Sequence, residues 1–208
     1  MSEARSLAVV ACGALAADVR RIARQRGWDV DVHPVLALLH NRPERIAPAV
    51  AEELARLRPR YDEIAVAYGD CGTYGGLDAL GVRRIDADHC YDMLGRQEVA
   101  AALAEEPGSY FLTDFLARTF ERTVVRELGL DRYPQLRDDY FHAYRRVVWL
   151  AQRPTPANRA AAERAAARIR LPLEVRVVSD EGLERQLELL LAQSPGSLAR
   201  SMTAAGST

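Results

Sequence analysis

Lysine is missing from this 208-residue chain, so all 28 of its basic side chains are arginine. The absence excludes Schiff-base chemistry, a pyridoxal phosphate anchor and a P-loop lysine, each of which needs a primary amine. The bias itself reads as the composition of a GC-rich genome. Cysteine is scarce too. Three residues, an odd number, do not make a secreted disulfide framework. Nor is there a surplus of either charge: the net charge is −1, which leaves no long-range field to draw nucleic acid or an anionic membrane. No run approaches the ~18 apolar residues of a membrane span. Met1 to Ala8 lacks the basic region and apolar stretch of a signal peptide. A cytoplasmic protein without a nucleic-acid or membrane partner is the expectation.

What is present is ordinary globular composition, 49% hydrophobic and 27% charged, at a length that buries a core without staples. Short β-branched runs alternate with longer helical stretches. Strands are expected at Leu7–Ala11, Trp28–Val32, Glu63–Ala67, Val82–Ile85, Tyr110–Thr113, Arg146–Ala151 and Leu173–Val178. Helices are expected from Ala14 to Arg26, from Pro43 to Leu57, over Asp92–Glu105 and Phe115–Leu128, within Asp131–Tyr144, and over Pro156–Ile169 and Glu181–Ala192. Val35–Leu39 reads as an extended or irregular continuation after Pro34. This alternation predicts an α/β fold, a mostly parallel Rossmann-like sheet with helices on both faces. Residues 1–193 are expected to form a single α/β domain with a candidate half-domain boundary near 129, where two halves would face each other. Residues 194–208 are small and polar and read as a disordered tail.

The three cysteines each follow an expected strand. Cys12 comes directly after Val9-Val10-Ala11, Cys71 lies four residues past Ala67, and Cys90 five past Ile85. In open parallel sheets ligands bind beyond the carboxyl ends of the strands, where the strand order reverses. Thiols on such ends can converge from distant segments. A strand order of 2-1-3-4 would spread them over two inter-strand gaps, about 10 Å. That suits an iron–sulfur cube somewhat better than zinc, which draws its thiolates to ~2.3 Å. Three ligands rather than four would leave one iron open to substrate. The competing reading is three small buried side chains filling strand ends. Gly13 and Gly72 follow two of the cysteines, and Gly69 opens the loop Gly69-Asp70-Cys71-Gly72-Thr73-Tyr74-Gly75-Gly76. All three glycines are expected beside the cofactor, where a bare backbone can approach a ligand. The same loop admits a phosphate cradle, although it does not carry the dinucleotide fingerprint.

His40 closes the run Leu36-Ala37-Leu38-Leu39 and is followed by Asn41 and Arg42. His40 is a candidate fourth ligand or general acid–base, Asn41 an orienting group, and Arg42 a binder of a substrate carboxylate. Asp86, Asp88 and Asp114 lie near strand ends as candidate ion or proton groups, with Asp114 fitting a helix cap well. His89 neighbours Cys90, while His33 and His142 sit in patterns that give them no special role.

The ordered series Cys12-Gly13-Ala14-Leu15, Leu39-His40-Asn41-Arg42-Pro43-Glu44, Tyr68-Gly69-Asp70-Cys71-Gly72, Asp88-His89-Cys90 with Leu94-Gly95, and Pro107-Gly108-Ser109-Tyr110-Phe111-Leu112-Thr113 resembles domain-of-unknown-function family 1638. The resemblance runs from about Leu7 to Ala192. It implies that the cysteines and the Leu-His-Asn segment belong to a shared pattern, and a link to corrinoid methyl transfer. In architecture alone the arrangement is also similar to quinolinate synthase and the diphthamide-forming enzymes, which place three cysteines at Rossmann-like strand ends around one cluster. The first expectation is therefore a metal-dependent enzyme holding a [4Fe-4S] cluster on Cys12, Cys71 and Cys90 and acting on a small polar metabolite. The second is zinc-dependent methyl or thiol transfer linked to corrinoid or folate metabolism, with a corrinoid protein or methyltransferase as partner. The third is a non-enzymatic metal or corrinoid accessory protein or thiol redox sensor.

Overall fold

The computed structural model of the chain describes residues 5–192; the expected tail at 194–208 lies outside them. The fold is α/β and Rossmann-like, with six strands and seven α-helices among the described residues. It divides into two compact units: residues up to Met93 together with those from Leu183 onward, and Leu94–Gly182. Gly129, the candidate half-domain boundary, lies inside the second unit.

The first unit is built on β1 (Arg5–Cys12), α1 (Ala16–Arg26), β2 (Asp31–Val35), α2 (Ile46–Leu57) and β3 (Tyr61–Ala67). The three strands are parallel in the order β2-β1-β3. Residues Leu7 to Cys12 of the central strand are all buried, which is why that strand reads as a continuous apolar run and not as an alternating one. The chain steps one way from β1 to β2, then back past β1 to β3. With right-handed crossovers this places α1 and α2 on opposite faces and opens a switch point beyond the carboxyl ends of β1 and β3.

One expected strand is lost from this sheet. Val82–Ile85 is reduced to an isolated bridge between Val66 and Arg84, with Val66 N–H donating to the Arg83 carbonyl and Ile85 N–H to that of Val66. The Arg84 guanidinium explains the early stop, because it takes the Ile85 carbonyl that the next rung of the ladder would use. Val35–Leu39 does not stay extended either; Ala37–Asn41 winds into a 3-10 turn.

The second unit takes up α3 (Cys90–Glu105) from Leu94 onward. It continues through β4 (Ser109–Thr113), α4 (Asp114–Phe120), α5 (Leu136–Phe141), β5 (Arg146–Ala151), α6 (Pro156–Ile169) and β6 (Leu173–Val177). α3 breaks at Gly95, whose backbone is non-helical. Its sheet is again parallel, in the order β4-β5-β6. A single sheet is thus replaced by two three-stranded ones. The core packs Leu112, Val147 and Trp149 from the strands against Phe120, Ala162 and Ile169 from α4 and α6. On the opposite face Arg146 donates to the Ala102 carbonyl and Arg176 to that of Glu98, both on α3.

The helix expected over Phe115–Leu128 changes to a π turn at Glu121–Val125. Thr119 and Thr123 bond back to the carbonyls of Phe115 and Thr119, the type of side-chain competition that loosens a helix. The closing helix α7 (Glu181–Ala192) returns the chain to the first unit, where Glu184 and Glu188 meet Arg26 of α1. No helix among the described residues is long and apolar enough to cross a membrane.

Candidate functional site

Cys12, the last residue of β1, is buried. Its carbonyl accepts from Leu15 N–H at 2.8 Å, which turns the chain into α1. Gly13 between them donates to the Val35 carbonyl at 2.8 Å, and a Cβ there would sit 2.6 Å from that oxygen. The glycine is required by the β1–β2 backbone contact itself. Just past β2, the 3-10 turn carries His40. Its Nδ1 faces the Ala37 carbonyl at 2.8 Å and so must carry a hydrogen, which leaves Nε2 directed at Cys12 Sγ, 3.9 Å away. The imidazole stacks on the Tyr68 ring with centroids 5.5 Å apart and planes 14° apart.

Tyr68 is the first residue after β3 and is fully buried. Gly69 follows because a Cβ would press on the Ala87 carbonyl and the His89 backbone at 3.1 Å. Asp70 N–H then donates to Ala87 O (2.8 Å) and Cys71 N–H to Asp88 O (2.7 Å), fastening this loop to the segment that delivers Cys90 at the start of α3. The loop consists of two consecutive tight turns. Thr73 N–H closes the first on Asp70 O and Gly76 N–H the second on Thr73 O, both at 3.0 Å. Their central pairs, Cys71-Gly72 and Tyr74-Gly75, have φ of 51° and 83° in each case. Both pairs lie in the left-handed region that primed turns demand. Glycine meets that demand at Gly72 and Gly75. Cys71 and Tyr74 hold it against the Cβ clash, a local strain of the kind concentrated at functional sites. Asp70 secures the arrangement by accepting from Thr73 Oγ1 (2.7 Å), Tyr74 N–H (3.0 Å) and Gly75 N–H (2.9 Å). Burial alone would raise its carboxyl; these bonds outweigh it and hold the pKa below the usual range.

The structure therefore sets His40 beside Cys12 and ties the Cys71 loop to the segment that carries Cys90, and electrostatics couple these groups. Burial would depress the His40 pKa, but hydrogen bonds to Cys12 and Cys71 and the electrostatic pull of the same two sulfurs push it up to about 11. Burial, then the charges of Cys12 and Cys71, raise the Cys90 thiol. Burial and the same two thiols raise the Tyr68 phenol, with Cys90 adding to the effect. The Tyr68 hydroxyl is approached by the Cys12 thiol but makes no hydrogen bond of normal geometry among the described residues. All three cysteines are free thiols. Among the described residues, no three His, Cys, Asp or Glu side chains stand close enough to hold one metal ion.

The other sequence candidates scatter. Asn41 and Arg42 are exposed at the end of the turn that carries His40. Asp86 and Asp88 are exposed in the loop before α3, and His89 lies 3.4 Å from Asp92. His33 contacts the Tyr61 hydroxyl and His142 the Asp139 carbonyl. Asp114 belongs to the second unit and is 1% exposed; the α4 cap is Thr113, which accepts from Leu116 N–H. The Asp114 carboxylate instead accepts from Trp149 Nε1, Asn158 Nδ2 and Arg153 N–H, each at 2.9 Å. Sequence reasoning missed Tyr68 and Asp70. The available signal for Tyr68 was a phenol placed directly after a central parallel strand.

Fold and site together define a Rossmann-like parallel α/β protein with a cysteine–histidine–tyrosine cluster at the switch point of its first sheet. Residues 35–187 match the family model described as a protein of unknown function, DUF1638, and the chain belongs to that family. The match includes His40, Cys71 and Cys90 and begins after Cys12. Comparison with curated proteins and with solved structures gives no match.

Proposed function

We propose that the protein is a cytoplasmic metal-dependent enzyme that holds a [4Fe-4S] cluster on Cys12, Cys71 and Cys90. The observation that carries this reading is the convergence of three free thiols, from β1, the β3 loop and the start of α3, at a topological switch point. The donor chemistry fits: three soft sulfur ligands arrive from separate segments, with a buried phenol left unsatisfied among them. Ligands delivered from three separate segments suit a cluster somewhat better than a single zinc ion, which draws its thiolates tightly together. A cluster bound by three thiolates supplies one open iron as a Lewis acid toward a small polar substrate.

The chain's own residues do the rest. His40, its Nδ1 fixed on Ala37 O, presents Nε2 beside Cys12 and holds a proton next to the sulfur site. Arg42 is exposed, with no side-chain partner among the described residues, and is available to pair a substrate carboxylate in a two-pronged contact; Asn41 beside it orients the substrate. Gly13, Gly69 and Gly72 keep the backbone close enough for the loops to meet.

Replacing each cysteine in turn by serine tests the reading on protein purified without oxygen. Loss of most bound iron and sulfide in all three variants is expected, and full retention in all three would overturn it. Zinc without iron would replace it with thiolate-based methyl or thiol transfer, for which a corrinoid protein or methyltransferase is the natural partner. A metal-free protein whose thiols oxidise reversibly would make it a redox sensor or accessory protein instead.

A further inference from the structure

We infer that the Tyr68 hydroxyl is a hydrogen-bond donor to a sulfur of the group bound among Cys12, Cys71 and Cys90, and so sets that group's reduction potential. The inference rests on the cluster reading above and adds a residue that reading does not use.

Tyr68 has no exposed surface, and its ring is held between the end of β3 and the imidazole of His40. Phenylalanine would fill that space equally well. The hydroxyl is therefore the part that needs an explanation, because buried polar groups in native interiors are almost always bonded. The other two atoms of this kind among the described residues belong to Arg21 and Arg153, whose guanidinium groups pair with Asp18 and Asp114. Tyr68 stacks on the His40 ring, whose Nε2 lies 3.9 Å from Cys12 Sγ, so its phenol stands beside the sulfur site. The Cys12 thiol approaches the hydroxyl without forming a bond of normal geometry. A sulfur carrying negative charge is the acceptor that this donor lacks in the protein alone. Hydrogen bonds to cluster sulfurs stabilise the reduced, more negative state and raise the potential.

The test compares wild type with Tyr68→Phe, each reconstituted without oxygen. Before loading, the variant is expected to unfold at the same temperature as wild type or higher, since it removes only an unsatisfied group. After loading, its cluster is expected to have a more negative potential and to be stripped several-fold faster by a chelator. In wild type, electron–nuclear double resonance of the reduced cluster should show an exchangeable coupled proton, lost in D2O and missing from Tyr68→Phe. That measurement also stands alone if the variant does not fold. Equal potentials with the same proton coupling, as an ordered water on the hydroxyl would give, overturn this inference and leave the cluster reading intact. Wild type that takes up no iron and sulfide overturns both.

Discussion

The two units use the same building block, three parallel strands with helical crossovers, and differ in what they leave unfinished. In the first, the order β2-β1-β3 reverses direction and opens a switch point. In the second, β4-β5-β6 steps steadily one way and offers none. The polar groups follow that division. At the second unit's strand ends the Asp114 carboxylate is met by Trp149, Asn158 and Arg153 donors, a closed network. At the first unit's strand ends a buried hydroxyl lacks a well-formed hydrogen bond, Cys71 and Tyr74 sit in left-handed backbone, and the Cys12 and Cys71 thiols act on an imidazole. A fold satisfies its polar groups where they serve stability and leaves them open where they serve a ligand.

The largest effect expected from this contrast is on the closed network. Asp114→Ala leaves the Trp149 indole N–H without an acceptor in the core and removes one of the two acceptors of the Asn158 amide, and should cost about 3 kcal/mol in chemical denaturation. A loss under about 1 kcal/mol would mean that the network is not structural. Gly13→Ala ranks next. Its methyl would collide with the Val35 carbonyl, so about 2 kcal/mol of destabilisation is expected on the same assay, with no change if the glycine served only a ligand.

A smaller effect separates the protonation states of Asp114. Burial, only partly offset by the Trp149 and Arg153 hydrogen bonds, raises its folded pKa above the ordinary carboxylate value. Folding thus favours the protonated form: the stabilisation is fully present below the unfolded pKa and is lost as pH rises through the folded one. The stability of wild type relative to Asp114→Asn should therefore fall as pH rises above the ordinary carboxylate pKa of about 4, and a flat difference would contradict the shift. The smallest effect has the opposite sign. Tyr74 is 97% exposed, so Tyr74→Gly removes little but strain and should raise stability by about 1 kcal/mol. A decrease would show that the side chain has a structural contact.

Much of the fold was legible. β5, α6 and α7 lie where the sequence places them: five buried residues in a row mark β5, and Thr155 with Pro156 marks the start of α6. The Cys71 loop beyond β3 was legible for the same reason, since a parallel sheet dictates where its loops meet; Cys12 instead ends β1 and Cys90 opens α3. The loss of the strand at Val82–Ile85 was not, because it turns on Arg84 taking the Ile85 carbonyl of its own segment. Gly13 was read as a cofactor glycine, yet the Val35 contact already requires it. Tyr68 escaped notice because an unsatisfied hydroxyl is a property of three-dimensional packing. No local pattern records which acceptors a side chain fails to meet.

The central claim is tested most directly by Mössbauer spectroscopy of wild-type protein loaded with isotopically enriched iron in the absence of oxygen. Three cysteine ligands predict a [4Fe-4S] signature with one iron distinct from the other three, and a shift of that one signal when a small polar substrate is added. Four equivalent irons, or protein that retains zinc alone or no metal under the same conditions, would contradict it.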